Sequence, residues 1–166
     1  MRAFIGIKLD DSAIKKIKGY FNYFYSENVT GNFTKLNNLH LTLSFLGEIN
    51  PNRVEELINV IESMELKIKQ IKISKITKLK DMVVGEVTRD CELMSLQDEL
   101  VKELKLKGFI LDKKAFYPHI TLIRQVSGGN NLKNFNSNVE IISNVTKITL
   151  FESTRINKEL IYIPIN

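Results

Sequence analysis

The chain is short of several things that whole classes of function require. It holds one cysteine, Cys91, in 166 residues, which excludes an internal disulfide and suits a reducing compartment. Cys91 stands at a predicted helix start and reads as a partly buried thiol rather than a nucleophile. There are two histidines, His40 and His119. Neither has Cys, Asp or Glu nearby at ligand spacing, so a zinc or other transition-metal centre would have an incomplete coordination sphere, and no metal or other cofactor is expected. No apolar run approaches the ~20 residues of a spanning helix. Lys8, Asp10 and Asp11 cut short any signal-peptide core in the opening segment. A cytoplasmic protein with no membrane partner and no obligate protein partner is expected. Gly128-Gly129-Asn130-Asn131 lacks the strand-loop-helix context of a phosphate-cradling loop and reads as a turn-rich connection. A serine nucleophile elbow is also missing.

What is present is ordinary in bulk: 43% hydrophobic and 26% charged residues, as in a globular domain. The length fits one domain spanning residues 1–166, or two small lobes sharing a cleft. A net charge of +5 and a sequence pI near 9.2 favour a polyanionic partner without identifying one.

Residues 2–9 are rich in strand formers and stop at the cap candidates Asp10-Asp11-Ser12. Ile14, Ile17, Phe21 and Phe24 then fall on one helical face. Residues 28–32, with Gly31, read as a loop. A strand over 39–46 ends at Gly47, and Asn50-Pro51 opens a helix whose apolar face is Val54, Leu57, Ile58 and Ile61. From Leu66 to Leu79 lysine alternates with isoleucine. Ile71 and Ile73 share a parity that Ile68 and Ile76 do not, which predicts two strands or a bulge. The lysines suit a protected edge strand or, alternatively, an approach path for RNA phosphates. A strand at 82–87, a helix capped by Asp90 and running to about Lys107, and strands at 118–125, 145–152 and 159–165 complete an α+β plan with a suggestion of internal duplication.

That suggestion comes from two tetrapeptides. His40-Leu41-Thr42-Leu43 and His119-Ile120-Thr121-Leu122 are copies of His-x-Thr-Leu, and they use every histidine in the chain. In a strand, side chains alternate between faces. His40 and Thr42 therefore share one face, with Leu41, Leu43 and Phe45 on the other, and the second copy repeats the arrangement. Two imidazoles meeting at one site can divide acid–base work, one neutral and one protonated, while the Thr hydroxyls hold non-bridging phosphate oxygens. This chemistry suits displacement at phosphorus without a metal.

Phe33, the run Asn38-Leu39-His40-Leu41-Thr42-Leu43-Ser44-Phe45-Leu46-Gly47-Glu48 and the run Phe116-Tyr117-Pro118-His119-Ile120-Thr121-Leu122-Ile123-Arg124 resemble the two-histidine phosphoesterase superfamily. The branch they are most similar to is the RNA 2′,3′-cyclic phosphodiesterases, also called 2′-5′ RNA ligases. The opening Met1 to Ile7 and the run Ile148 to Ser153 add to the likeness. The resemblance implies a bilobal fold, two similar antiparallel sheets flanking a central cleft with helices outside, and an internal pseudo-two-fold. It implies metal-independent opening of 2′,3′-cyclic phosphates on RNA ends or nucleotides to 2′-phosphomonoesters, with reversible 2′-5′ ligation as a companion reaction. His40 and His119 become the acid–base pair, with His119 acting on water and His40 on the leaving 3′-oxygen. Thr42 and Thr121 bind phosphate, and Arg124 joins them or else forms an outer salt bridge, since its strand parity is opposite to that of His119. Phe33 and Tyr117 are candidates for stacking on a base or for packing. Lys35 is the one basic residue just before the first motif. The alternatives are a sibling specificity, for 2′-5′ linkages or small cyclic phosphates, and a non-catalytic module that binds RNA ends.

Overall fold

In the computed structural model, which describes residues 1–129 and 132–166, the chain opens with strand β1 (Arg2–Lys8) and turns at Asp10. One carboxylate oxygen of Asp10 accepts from the Ala13 N–H at 2.8 Å and caps helix α1 (Asp11–Ser26). The other accepts from the Asn144 N–H at 2.8 Å, tying the cap to the end of a distant strand. The buried face of α1 is Ala13, Ile17, Phe21 and Phe24. Strand β2 (Val29–Phe33) follows, then a single 3-10 turn at Leu36–Asn38, strand β3 (His40–Glu48), and helix α2 (Val54–Ser63) entered through the Pro51–Arg53 turn. Strands β4 (Gln70–Leu79) and β5 (Met82–Val87) precede helix α3 (Cys91–Leu106), whose cap Asp90 accepts from Leu93 N–H at 2.8 Å. The chain ends in strands β6 (His119–Gly128), β7 (Asn136–Asn144), β8 (Thr149–Ile156) and β9 (Glu159–Pro164).

Every strand pairing is antiparallel, and the strands form two sheets in the orders β3-β1-β8-β9 and β2-β6-β5-β4-β7. This is the α+β architecture read from the order of predicted elements, with one His-x-Thr-Leu strand per sheet. The helices exchange partners: α1 follows a strand of the first sheet but packs on β2 and β7, whereas α3 follows β5 yet packs on β3 and α2. The Gln97 side-chain amide of α3 also donates to the Leu43 carbonyl at 3.2 Å. One buried apolar cluster runs through both sheets. Residues of β3 and β6 come within 8 Å of each other between Cα atoms, so the two motif strands meet where the sheets meet.

Several expectations fail for local reasons. Residues 29–33 form a strand, not a loop, because Gly31 lets β2 close on β6: a Cβ there would lie 2.9 Å from the Arg124 carbonyl oxygen. The lysine-isoleucine segment does carry the bulge that its change of parity predicts, since pairing with both neighbours shifts between Ile73 and Lys75 and lets Ile73 and Ile76 both turn inward. It is not an edge strand, because β7 covers it and Lys72 pairs with Glu140 at 3.7 Å. Strand β7 itself was not expected. It is rich in Asn and Ser and is formed by its partner rather than by its own propensity. The strand expected from Val145 begins at Thr149 and runs to Ile156. Cys91 is exposed rather than partly buried, as the first helical position faces solvent. The turn-rich stretch at Gly128-Gly129-Asn130-Asn131 falls partly outside the described residues.

Candidate active site

The two motif strands begin with the same alternation. Their first six residues run half-buried, buried, half-buried, buried, buried, exposed in β3 from His40 and in β6 from His119. The break in alternation is a bulge in each. Opposite β1, Thr42 pairs with Gly6 and Ser44 with Ile5, so Leu43 is the extra residue. Opposite β5, Thr121 pairs with Val84 and Ile123 with Val83, so Leu122 is the extra residue. An inserted residue reverses the parity of everything after it. Phe45, expected in the core, is therefore returned to the face of His40 and is 59% exposed, while Ser44 is buried. By the same geometry Arg124 is returned to the face of His119, which removes the parity objection to its reaching the site.

His40 sits in an aromatic cage. Phe4, opposite Phe45 in β1, lies 4.6 Å from the imidazole between ring centroids, Tyr162 of β9 meets it edge-on at 5.1 Å, and Phe151 of β8 is at 6.1 Å. The ring fits against β1 because residue 6 is glycine: a Cβ there would stand 2.6 Å from the Leu41 carbonyl oxygen and 3.5 Å from His40 Cδ2. His40 Nδ1 is 2.7 Å from the Asn38 carbonyl oxygen. A carbonyl only accepts, so Nδ1 carries the proton and the neutral ring presents a lone pair on Nε2. That nitrogen is 2.8 Å from Thr42 Oγ1, whose hydroxyl donates to it. Burial lowers the His40 pKa to about 4, with the charges of Arg124 and His119 pushing the same way and the Asn38 carbonyl opposing them.

His119 repeats half of this. Its Nδ1 donates to the Tyr117 carbonyl at 2.7 Å, again two residues upstream, while its Nε2 has no hydrogen-bond partner among the described residues. Its cage differs. The Tyr117 ring stacks on the imidazole at 4.8 Å and 19°, and Glu86 stands opposite His119 in β5. Burial and the Glu86 carboxylate, towards which the phenol donates, push the Tyr117 pKa up to about 12, against the pull of Arg89. Thr121 is held from behind by Thr34, whose hydroxyl donates to the Thr121 carbonyl at 2.8 Å.

Beside His40 a cavity of about 480 Å³ opens between the sheets, lined by Phe33, Lys35, Asn38, Arg124, Arg155 and Tyr162 among others. Asn38 fixes one wall, its side-chain amide donating to the Leu160 carbonyl at 2.9 Å. Phe33 lines this cavity but is engaged with its own neighbours, stacked on Tyr25 at 4.4 Å and edge-on to Phe21 at 5.2 Å. Lys35 is in an ion pair with Glu159.

The structure thus brings His40, Thr42, Phe33, Lys35 and Arg124 to one region, with His119 and Thr121 on the strand that meets β3 there and Tyr117 just before it. Tyr117 packs on the catalytic-candidate imidazole. Sequence reasoning missed Phe4, Phe151, Tyr162, Glu86 and Arg155, which carry no motif; the one available signal was Gly6, a glycine inside an otherwise strand-forming run. Among the described residues, no group of three or more His, Cys, Asp or Glu is arranged to hold a metal ion. No helix among them is long and apolar enough to cross a membrane.

Known proteins share both pattern and shape. The family model for LigT-like phosphoesterases matches residues 7–82, the segment that holds the first motif. The RNA 2′,3′-cyclic phosphodiesterase of Thermotoga maritima is 29% identical over 133 residues, covering 75% of this chain and 70% of that protein. The one from Methanocaldococcus jannaschii is 24% identical over 128 residues, covering 75% and 71%. The crystal structure of E. coli LigT complexed with 3′-AMP has a TM-score of 0.84 at 22% identity, covering 99% of this chain and 95% of that one. A protein of Thermus thermophilus gives 0.83 at 16%, covering 100% and 96%. At such identities the structural likeness shows the fold.

Proposed function

We propose that the chain is a LigT-like phosphoesterase, as its likeness to that family supports, and that it opens terminal 2′,3′-cyclic phosphates on RNA or nucleotides to 2′-phosphomonoesters, acting as one domain over residues 1–166. The observation that carries the reading is the matched pair of imidazoles, each with Nδ1 tied to the carbonyl two residues upstream. Each strand also sets a Thr on the face of its His. The name shared by the T. maritima and M. jannaschii relatives supports the same substrate class.

The reaction needs two proton transfers and a holder for charge. One imidazole Nε2 takes a proton from water as its oxygen attacks phosphorus. The P–O3′ bond breaks, and the other imidazolium gives its proton to the departing 3′-oxygen. Thr42, Thr121 and Arg124 hold the non-bridging oxygens, whose negative charge grows as the fifth ligand arrives. No metal is needed for this scheme, because the two rings supply both proton transfers. In the order implied by the family, His119 acts on water and His40 on the 3′-oxygen. His40 must then carry a proton that the aromatic cage disfavours in the free protein, so the anionic phosphate has to bring it: a negative charge against the ring favours its charged form.

Assay of 2′,3′-cyclic nucleotides and cyclic-phosphate RNA ends in excess chelator tests the function. His40→Ala and His119→Ala should each lower kcat by at least about 100-fold, the low end of a general acid–base contribution. Absence of 2′-phosphate product, or full activity in both variants, sinks the reading. The order of the two histidines is tested with a substrate bearing sulfur in place of the bridging 3′-oxygen, which leaves without a proton. His40→Ala should regain most of its lost rate on that substrate; rescue of His119→Ala instead reverses the order.

A further inference from the structure

The catalytic scheme uses one phosphate, and a cavity lies beside His40. It shares walls with the catalytic centre: Tyr162 touches the His40 ring, and Asn38 holds its Nδ1. Its far wall is the β8–β9 hairpin, which brings Arg155. Arg155 Nη1 donates to the Lys158 carbonyl at 3.2 Å, so its arm is braced by the turn of its own hairpin. Among the described residues, neither Arg124 nor Arg155 takes part in an ion pair, whereas Lys35 at the mouth is neutralised by Glu159. Two guanidiniums without carboxylates thus line one cavity that adjoins the proposed catalytic centre. Guanidinium forks are suited to phosphate oxygens, to which they donate in pairs. Arg124 projects from the motif strand on the face of His119 and is already assigned to the reacting phosphate. Arg155 comes from the other sheet and is left for something further along the substrate.

We propose that the cavity between β2, β6 and the β8–β9 hairpin is a second phosphate subsite, in which Arg155 binds the phosphate on the 5′-oxygen of the reacting nucleotide. This rests on the reading of the site as a cyclic phosphodiesterase and adds a specificity to it. A bare 2′,3′-cyclic mononucleotide leaves the subsite empty. A 5′-phosphorylated one fills it, and so does an RNA end, whose next phosphodiester sits at the same atom. Tyr162 and Phe33 flank the cavity and give the attached sugar and base apolar edges to rest on.

The experiment compares kcat/KM for three substrates: a 2′,3′-cyclic mononucleotide, the same compound with a 5′-phosphate, and a dinucleotide ending in the cyclic phosphate. The two that carry the extra phosphate should be preferred by about tenfold or more, the size of one charge-assisted contact. In Arg155→Gln that preference should fall to near unity, while Lys102→Gln, on the exposed face of α3, should keep it. A gain for the dinucleotide alone shows that the subsite reads a chain phosphodiester; a gain for both shows that any 5′-phosphate serves. Equal use of all three substrates by the wild type, or an equal loss on all three in Arg155→Gln, overturns the proposal. If no cyclic end is opened, the catalytic reading fails by itself, and binding of a dinucleotide 2′-phosphate still decides the subsite. Arg155→Gln should weaken that binding and flatten its log–log salt dependence by about 0.7, one single-strand phosphate contact. Unchanged affinity and slope overturn it.

Discussion

Acid should destabilise this protein through His40 in a way that a single substitution reveals. The imidazole is held near pKa 4 by its aromatic cage, against about 6.5 in the unfolded chain. The folded-state value is depressed, so below pH 6.5 the unfolded chain takes up the proton first and stability falls as pH falls. Above pH 6.5 both states are neutral and the group contributes no slope. Between pH 6.5 and 4 the slope is about 1.4 kcal/mol per unit, reaching about 3 kcal/mol at pH 4. Carboxylates titrate in the same window, so the measurement is a difference. Denaturant unfolding of the wild type and of His40→Gln at half-unit steps from pH 8 to 4 should give curves that run parallel above pH 6.5. Below it they should converge or cross, the wild type losing about 3 kcal/mol more than the variant by pH 4. Direct titration of the ring by proton NMR should place its midpoint near 4. Parallel curves throughout, or a His40 midpoint near 6.5, would refute the cage argument and with it the claim that substrate must supply the proton on His40.

Other outcomes follow from named contacts. Gly6→Ala puts a methyl 2.6 Å from the Leu41 carbonyl oxygen; it should cost roughly 1–3 kcal/mol by overpacking and lower kcat more than that loss explains, because β3 carries His40. Asp10→Ala removes the acceptor of two N–H groups, one on α1 and one at the end of β7. It should cost about 1–2 kcal/mol in denaturant unfolding and leave kcat unchanged. Tyr117→Leu removes the ring stacked on His119 and should lower kcat with little change in KM, whereas a base-stacking role for Tyr117 would raise KM.

Much of the site is legible in the sequence because its elements are local. His and Thr two apart on a strand share a face whatever the rest of the chain does, and duplication of the tetrapeptide marks both halves. The helix caps Asp10 and Asp90 are equally local. What escapes is what pairing decides. Strand parity alone sends Phe45 inward and Arg124 away from His119, and both bulges reverse this, since Leu43 and Leu122 are accommodated by register shifts against β1 and β5. A one-residue slip of that kind is invisible in a pattern of apolar and polar letters. Strand β7 is likewise created by β4, and β2 by the close approach that Gly31 permits. The cage around His40 draws on β1, β8 and β9, so its rings are far apart in the chain and share no spacing. Arg155 had no motif to announce it and becomes visible only when the β8–β9 hairpin is set against β6.

The central claim, two imidazoles opening a cyclic phosphate with departure of the 3′-oxygen, is tested most directly by the identity of the product. Phosphorus NMR of an oligoribonucleotide with a 2′,3′-cyclic end, incubated with the protein in excess chelator, should show the cyclic resonance replaced by that of a 2′-phosphomonoester alone, with no change in the presence of either His→Ala variant. A 3′-phosphomonoester, a mixture of the two, or a cyclic resonance that persists with the wild type would contradict the account.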